Sequence, residues 1–500
     1  MARYFRGLRV ARRFVAGVCA VVLLLGVCPQ ATADRPTAVD HSTEAFFPPI
    51  GHQEIGDCTC WSSAYYYNTY TQARDEGLDA SGGDSEVICS PRFLFALIAE
   101  GAAGAECTEH AMARLSDLGC APVSMHSMSE WYSEWPTEAA RVAALKNRTG
   151  TFYKIRSDSE AGLATVRQHI AEGGCAVTRA LFHSNYVNYG ASASGPGIDN
   201  RVMYAGVGGN HLRHSLCICG YDDNKAYVDH RDGETYEGAF LIANSEGLDW
   251  GWYNSTGSGT KGFLWVSYRM FYEGEFGLYD HDDNPYVDPC YDNPAYPEIY
   301  YHDDRPHYRP RLYAAAGINH NARNLLTYTG GVGPTDTPDF MGPEAIEQTD
   351  FGDISIDDSR RVVVDLTDGV GFIPPGTTKN VFVSLFVNSA ATQAATITSV
   401  DFYCDFNGNE VYRTVPGQMG PPVMVWPNTT KYVSASVTHP VPGDLDVDLD
   451  VDVEDHAMLV SCMTGPDQSV SPSCDLADLS GDADADLEDF AAFQRQFVVP

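Results

Sequence analysis

The chain is 500 residues long and carries 67 acidic against 32 basic residues, a formal net charge of −35. Acidity of this size argues against nucleic acid as a partner and favours solubility and divalent cations. With 44% hydrophobic residues, a chain this long has room for roughly two to four domains with cores of their own.

Residues 1–33 read as a secretory signal. Arg3, Arg6, Arg9, Arg12 and Arg13 precede an apolar run over 14–27, and Ala31-Thr32-Ala33 offers small residues for cleavage. The run is too short to remain as a membrane anchor. The mature chain is therefore expected to be secreted, at the cell surface or in a periplasm, with no membrane span. Losing five arginines takes the formal charge from −35 to −40. Of the 14 cysteines, Cys19 and Cys28 leave with the signal, and the other 12 meet an oxidising compartment where disulfides are expected.

The stretch 47–70, FPPIGHQEIGDCTCWSSAYYYNTY, is a loop running into a helix: Gly51 and Gly56 break structure, while Trp61, Ala64, Tyr65 and Tyr66 recur at helical spacing. Cys58 and Cys60 fall at that junction. The unpaired N–H groups and partial positive charge of a helix N-terminus lower a thiol pKa and favour the nucleophilic thiolate. Such a nucleophile needs a base from elsewhere in the chain. Helical spacing continues over 93–100, 108–118 and 138–146. Beyond 151 the pattern favours strands, at 152–155, 175–177, 216–221, 240–243 and 263–266. Residues 188–210, rich in Gly, Ser and Ala, read as a loop. His214 opens the run RHSLCICGY, which is expected to turn at Asp222-Asp223-Asn224, and Asn244-Ser245-Glu246-Gly247 follows.

Residues 281–310, dense in Asp, Tyr, Pro and His, are expected to be a linker. Within 311–441, apolar runs at 312–317, 325–329, 361–366, 380–388, 396–404 and 431–438 predict an antiparallel β-sandwich, a spacer or a carbohydrate- or protein-binding module. Residues 442–500 hold an internal repeat. Asp444, Asp446, Asp448, Asp452 and Asp455 stand at positions 1, 3, 5, 9 and 12 of a calcium loop, and Asp478, Ser480, Asp482, Asp486 and Asp489 repeat the pattern 34 residues later. Each loop runs into an apolar helical segment, over 456–463 and 490–497. Position six, where the turn favours glycine, holds Leu449 and Ala483. Cys462 and Cys474 flank the connection and are expected to pair.

Several of these pieces share one order: Gln53, then Gly56 and Cys58 at a helix start, then His214 before a strand ending in Gly220-Tyr221, then Asn244-Ser245 followed by Trp250-Gly251. In that set 34–280 resembles the papain-like cysteine peptidases, bacterial members included. Ser90-Pro91-Arg92-Phe93-Leu94 is similar to the family's second helical segment, and 170–174 to the turn before its central strand. The resemblance implies an α+β two-lobed domain with a cleft between the lobes, 188–210 on its rim. It also implies hydrolysis of a protein or peptide substrate by a Cys-His-Asn triad, with no cofactor for catalysis. It assigns the nucleophile to Cys58 or Cys60, the oxyanion donor to Gln53, the base to His214 and the orienting amide to Asn244. Gly56 favours Cys58, while Cys60 keeps the Cys-Trp pair of papain; His211 competes for the base. Glu246 stands where the family has a tryptophan that shields the Asn–His bond. A second reading is a non-catalytic secreted adhesion or scaffold protein on a decayed papain-like fold. The aspartate repeat resembles a dockerin-type module, which implies structural calcium and a cohesin-like or cell-surface partner.

Overall fold

The computed structural model describes residues 35–99, 107–131, 133–187, 189–208, 212–257, 261–273, 296–346, 355–406, 412–420, 422–447, 451–466, 468, 470, 474–480, 482 and 484–496. The chain divides into two units, Met1–Pro36 and Thr37–Pro500. The expected signal lies outside the described residues. No helix among the described residues is long and apolar enough to cross a membrane.

One helix is the pivot of the first half of the second unit. This helix, α1, runs without a break through Cys58–Cys60, Trp61–Asn68 and Thr69–Glu76. Its middle is wound as a π-helix, a widening that often marks functional sites, and Gly77, at φ 69°, ends it. Every residue from Trp61 to Asn68 is buried, so the hydroxyls of its tyrosines need partners. Tyr67 Oη accepts from His302 N (2.7 Å), and Tyr70 Oη donates to Glu44 Oε2 (2.9 Å). Around α1 pack α2 (Pro91–Ile98), α3 (Thr108–Asp117) and α4 (Glu138–Leu145). Ser90 caps α2 by accepting from Phe93 N, with Pro91 in the first turn, and Thr137 caps α4 through Ala140 N.

The second lobe is a nine-stranded sheet. Its strands are β1 (Ala38–Asp40), β2 (Phe152–Arg156), β3 (Ala176–Phe182), β4 (Ile198–Asp199), β5 (Val202–Met203), β6 (Leu212–Asp229), β7 (Glu234–Ala243), β8 (Phe263–Ser267) and β9 (Glu298–His302). They run in the order β2-β9-β3-β6-β7-β8-β5-β4, with β1 on β6. Alternate residues of β7 serve two cores, as a pleat requires. Ala239, Leu241 and Ala243 join α1; Phe240 and Ile242 join α5 (Glu160–Ala171), capped by Ser159, and α7 (Tyr268–Tyr272).

The sequence reading needs correcting at three places. Residues 281–310 are not a linker throughout, because Glu298–His302 is an inner strand between β2 and β3, with Ile299 and Tyr300 fully buried; 281–295 lie outside the described residues. No turn forms at Asp222-Asp223-Asn224. Instead β6 continues to Asp229 through a register shift between Asp222 and Ala226 that absorbs the polar run as a bulge. The helix α5 is not among the expected helices, although Leu163, Val166 and Ile170 carry helical spacing.

Two antiparallel sheets follow. The strands are β10 (Leu312–Asn319), β11 (Leu326–Val332), β12 (Phe340–Met341), β13 (Val362–Asp365), β14 (Thr377–Val387), β15 (Ala395–Cys404), β16 (Arg413–Pro416), β17 (Val423–Val425) and β18 (Thr429–His439). One sheet is β13-β10-β15-β16 with β17 on β15, and the other is β12-β11-β14-β18. Ala314, Ile318 and Val364 of the first meet Tyr328, Val383 and Val433 of the second in one core. This sandwich is tied to the preceding lobes by a buried ion pair, Arg148 Nη1 to Asp365 Oδ2 at 2.5 Å, which Tyr308 joins.

The last segment has α8 (Val453–Cys462) and α9 (Leu487–Gln496) around Leu445, Leu459, Ala485 and Phe493. Both helices begin ahead of the expected starts because Asp452 and Asp486 accept from Glu454 N (2.8 Å) and Glu488 N (2.7 Å) as caps. Among the described residues the one disulfide joins Cys462 to Cys474.

Candidate active site

The first turn of α1 separates its two cysteines. Side chains two positions apart on a helix point to nearly opposite sides. Cys60 is fully buried among Ala64, Cys89 and Cys120 in the core of the helical lobe. Cys58 is half-buried, and its turn packs against β6. Burial pushes the Cys58 thiol up, opposed by the backbone of Ser215 on β6 and by the Arg179 guanidinium. The residue before it, Asp57, makes no side-chain cap bond. Its carboxyl is fully buried 3.6 Å from Arg92 Nε, and burial pushes it up to about 6.

His214 lies one residue from Ser215 on β6, paired with Ala180 of β3. Its ring is buried, and Nε2 is 2.7 Å from Asn244 Oδ1. The Asn244 amide is held from both ends: Ser245 N donates to Oδ1 (2.8 Å), and Nδ2 donates to Tyr186 Oη (2.7 Å). This fixes Nε2 as the imidazole N–H donor and leaves Nδ1 as the nitrogen for proton transfer. Burial pushes the His214 imidazole down, countered by the Asn244 bond and then by the Glu246 carboxylate. The thiol and the imidazole are thus both biased toward their neutral forms.

Gln53 reaches the same place from the other side. The segment 51–53 runs antiparallel to 245–247, with Gln53 N donating to Ser245 O (2.8 Å) and Gly247 N to Gly51 O (3.1 Å). Ser245 Oγ donates to Gln53 Oε1 (2.5 Å), and Gln53 Nε2 donates to Ile55 O (3.2 Å). Gln53 is thereby tied to Ser245, next to the Asn244 that holds His214, and the Cys58 turn packs on the strand that carries His214. Cys60 stands apart, and His211 lies outside the described residues. Glu246 is half-buried beside the site. An aromatic cover comes from elsewhere: Tyr186 and Phe182 meet the His214 ring edge to face at 5.7 and 6.2 Å, and Trp250 packs on Tyr186 at 4.9 Å. No sequence signal marks Tyr186, since its short helix α6 (Ser184–Val187) falls between the expected strand at 175–177 and the loop-like run 188–210.

In the last segment, carboxylate oxygens of Asp444, Asp446 and Asp455 lie within 4.8 Å of one another, as do those of Asp478, Asp482 and Asp489 and those of Asp484, Asp486 and Asp489. Asp448 lies outside the described residues. Ser480 contributes its N–H to Asp489 Oδ1 (2.8 Å). Asp455 and Asp489 orient the two loops alike, accepting from Leu445 N and Asp452 N in one and from Leu479 N and Asp486 N in the other. Asp444, Asp455, Asp478 and Asp489 are at most 1% exposed. Converging buried carboxylates repel, and a hard cation with oxygen ligands fits that donor set. Asp484, at position seven, is a further member that the side-chain pattern did not include.

No family model and no curated protein matches the chain. Among solved structures it is similar to xylellain, a cysteine protease from Xylella fastidiosa, at 16% identity over 55% of this chain and 88% of that one, with a TM-score of 0.36. It is also similar to the proform of Amb a 11, a cysteine protease of ragweed pollen (15% identity, 55% and 67% covered, TM-score 0.35). Bromelain of Ananas comosus bound to E64 is a third such structure (12% identity, 54% and 100% covered, TM-score 0.32).

Proposed function

We propose that the chain is a secreted cysteine peptidase in which Cys58 is the nucleophile. The observation that carries this reading is the His214–Asn244 bond of 2.7 Å, with His214 on the strand β6 against which the Cys58 turn of α1 packs. His214 Nδ1 takes the thiol proton, and the thiolate attacks the peptide carbonyl carbon. The oxyanion that develops is held by the N–H groups at the start of α1 and by Gln53 Nε2, which has a second hydrogen beyond the one given to Ile55 O. When the tetrahedral adduct collapses, the C–N bond breaks and His214 returns the proton to the leaving amine. Water, deprotonated by His214, then hydrolyses the thioester. Asn244, held by Tyr186 and Ser245, keeps the imidazole in the required tautomer.

The test is cleavage of a denatured protein by variants. Cys58→Ala should abolish it, and Cys60→Ala should retain most of it. Activity lost only in Cys60→Ala moves the nucleophile; activity surviving both substitutions rejects the class.

A specific observation favours the second reading, a non-catalytic adhesion or scaffold protein: burial biases both the Cys58 thiol and the His214 imidazole toward neutrality. Rapid alkylation of one thiol by iodoacetamide in the native protein separates the two, since a structural thiol reacts slowly.

For the last segment we read Asp444, Asp446, Asp448, Asp452 and Asp455, and Asp478, Ser480, Asp482, Asp486 and Asp489, as two calcium loops of a dockerin-like docking module. Calcium there would screen carboxylate repulsion and order the loops, and the exposed faces of α8 and α9 would be offered to a cohesin-like or cell-surface partner. Binding of calcium by the full chain with a stoichiometry of two tests this part independently of proteolysis.

A further inference from the structure

Trp135 is buried in the seam between α4 and the β-sandwich, and two guanidinium groups stack on it. Arg141, on α4, holds Cζ 4.2 Å from the ring; Arg323, in the turn Arg323–Leu325 before β11, holds Cζ 4.4 Å away. The two are 3% and 5% exposed. Among the described residues neither has a carboxylate partner, and Arg141 Nε and Nη2 and Arg323 Nη1 make no hydrogen bond. Each ring contact is attractive, but two buried like charges on one indole repel. Burial pushes Arg141 down to about 9, with Arg323 the second cause, and pushes Arg323 down to about 10.

A cavity of about 20 Å³ opens beside Arg323, with Arg114, Trp135 and Asn324 also in its wall. Trp135 Nε1 and Asn324 Oδ1 have no partner either. The indole nitrogen is only a donor, and the Asn324 amide, turned end for end, presents N–H groups as well. The nearby carboxylates are engaged elsewhere: Glu134 with Arg360 (3.9 Å), Glu138 with Arg361 (3.4 Å) and Glu130 with His126 (3.0 Å). A water molecule would satisfy donors and leave the charge uncompensated.

We propose that this cavity binds a small monovalent anion of the halide class, chloride in the ordinary medium, at the seam joining the helical lobe to the β-sandwich. The volume suits one ion of about the size of a water molecule and is too small for a tetrahedral oxyanion. Arg114 of α3 lines the cavity from one side of the seam and Arg323 from the other. The ion therefore holds the two sides together, and its binding is linked to their stability. A chain with a net charge of −35 thereby keeps a local anion site that its overall field opposes.

The experiment is thermal melting of the full chain at constant ionic strength while gluconate is replaced stepwise by chloride, by bromide or by sulfate. Chloride and bromide should raise the melting temperature by a few degrees and saturate, sulfate should not, and Arg323→Met should weaken the chloride midpoint at least tenfold. Crystals soaked in bromide should show anomalous density beside Trp135 and Arg323, a wild-type measurement that decides the matter if the variant does not fold. An equal effect of sulfate, a rise without saturation, or no bromide at the cavity overturns the proposal.

Discussion

Tyr66 Oη donates to the main-chain carbonyl of Asn244 at 2.8 Å. The same oxygen accepts from Gly51 N at 3.0 Å, so one buried hydroxyl on α1 joins the loop leading to Gln53 with the residue that orients His214. Tyr66→Phe leaves a buried carbonyl and a buried N–H unpaired. The expected loss is about 1–3 kcal/mol of stability, read as a lower urea midpoint with an unchanged slope. A midpoint equal to wild type means that the two segments are held by their own ladder.

Tyr186→Phe removes the acceptor of the Asn244 amide and leaves the imidazole bond in place. A neutral buried hydrogen bond contributes about 1–1.5 kcal/mol, so kcat should fall about tenfold with KM little changed. Should kcat stay at the wild-type value, Ser245 N alone suffices to hold the amide.

The burial of Cys58 and His214 bears on reactivity with pH. With the thiol pushed up and the imidazole pushed down, the free protein should be alkylated at Cys58 ever faster as pH rises through the ordinary thiol range near 8.5. A rate that is flat down to pH 5 reveals a thiolate–imidazolium pair already formed and contradicts this prediction.

Acid should destabilise the fold through buried histidines. Burial pushes His126 and His302 down to about 4; the neutral His302 ring bonds Met112 O (2.9 Å) and Tyr67 Oη (3.2 Å). Unfolded histidine takes up its proton near 6.5, so this stability is present above that pH and lost as pH falls toward 4. Asp57, pushed up to about 6, acts oppositely, contributing stability at low pH that is lost as pH rises to 6. His169, His214 and His439, also pushed down by burial, add to the loss, and Asp75, pushed up, joins Asp57 against it. The histidines outnumber the two carboxyls and leave a net loss on acidification, at most about 3 kcal/mol each for His126 and His302. Urea unfolding at pH 7 and 4.5 measures it, and His302→Gln should flatten the difference.

Calcium should protect the C-terminal segment. With calcium, proteolysis of the full chain should spare 444–496; with a chelator it should cut there first, since the carboxylates of Asp444, Asp455, Asp478 and Asp489 are buried together. Asp489→Asn should weaken the protection. Resistance unchanged by the chelator would show that the Cys462–Cys474 bond and the small apolar core suffice.

What the amino-acid sequence determined by itself is what short-range chemistry encodes. Ser90-Pro91 and Thr137 start helices, apolar alternation marks the sandwich strands near their observed ends, and aspartates at fixed offsets repeat in two loops that close with the same hydrogen bonds. The order of Gln53, Cys58, His214 and Asn244 was legible as a pattern, with Cys60 left beside Cys58. Only the tertiary structure decided which thiol faces β6, because that depends on how α1 is rotated against a sheet more than 150 residues away along the chain. The same holds for Tyr186, 58 residues from the amide it accepts from, and for β9, whose polar and aromatic composition resembles a linker until β2 and β3 pair with it. The two arginines on Trp135 also come from segments with no shared local signal. Burial and long-range hydrogen bonding supply these outcomes, and neither has a period that can be read along a chain.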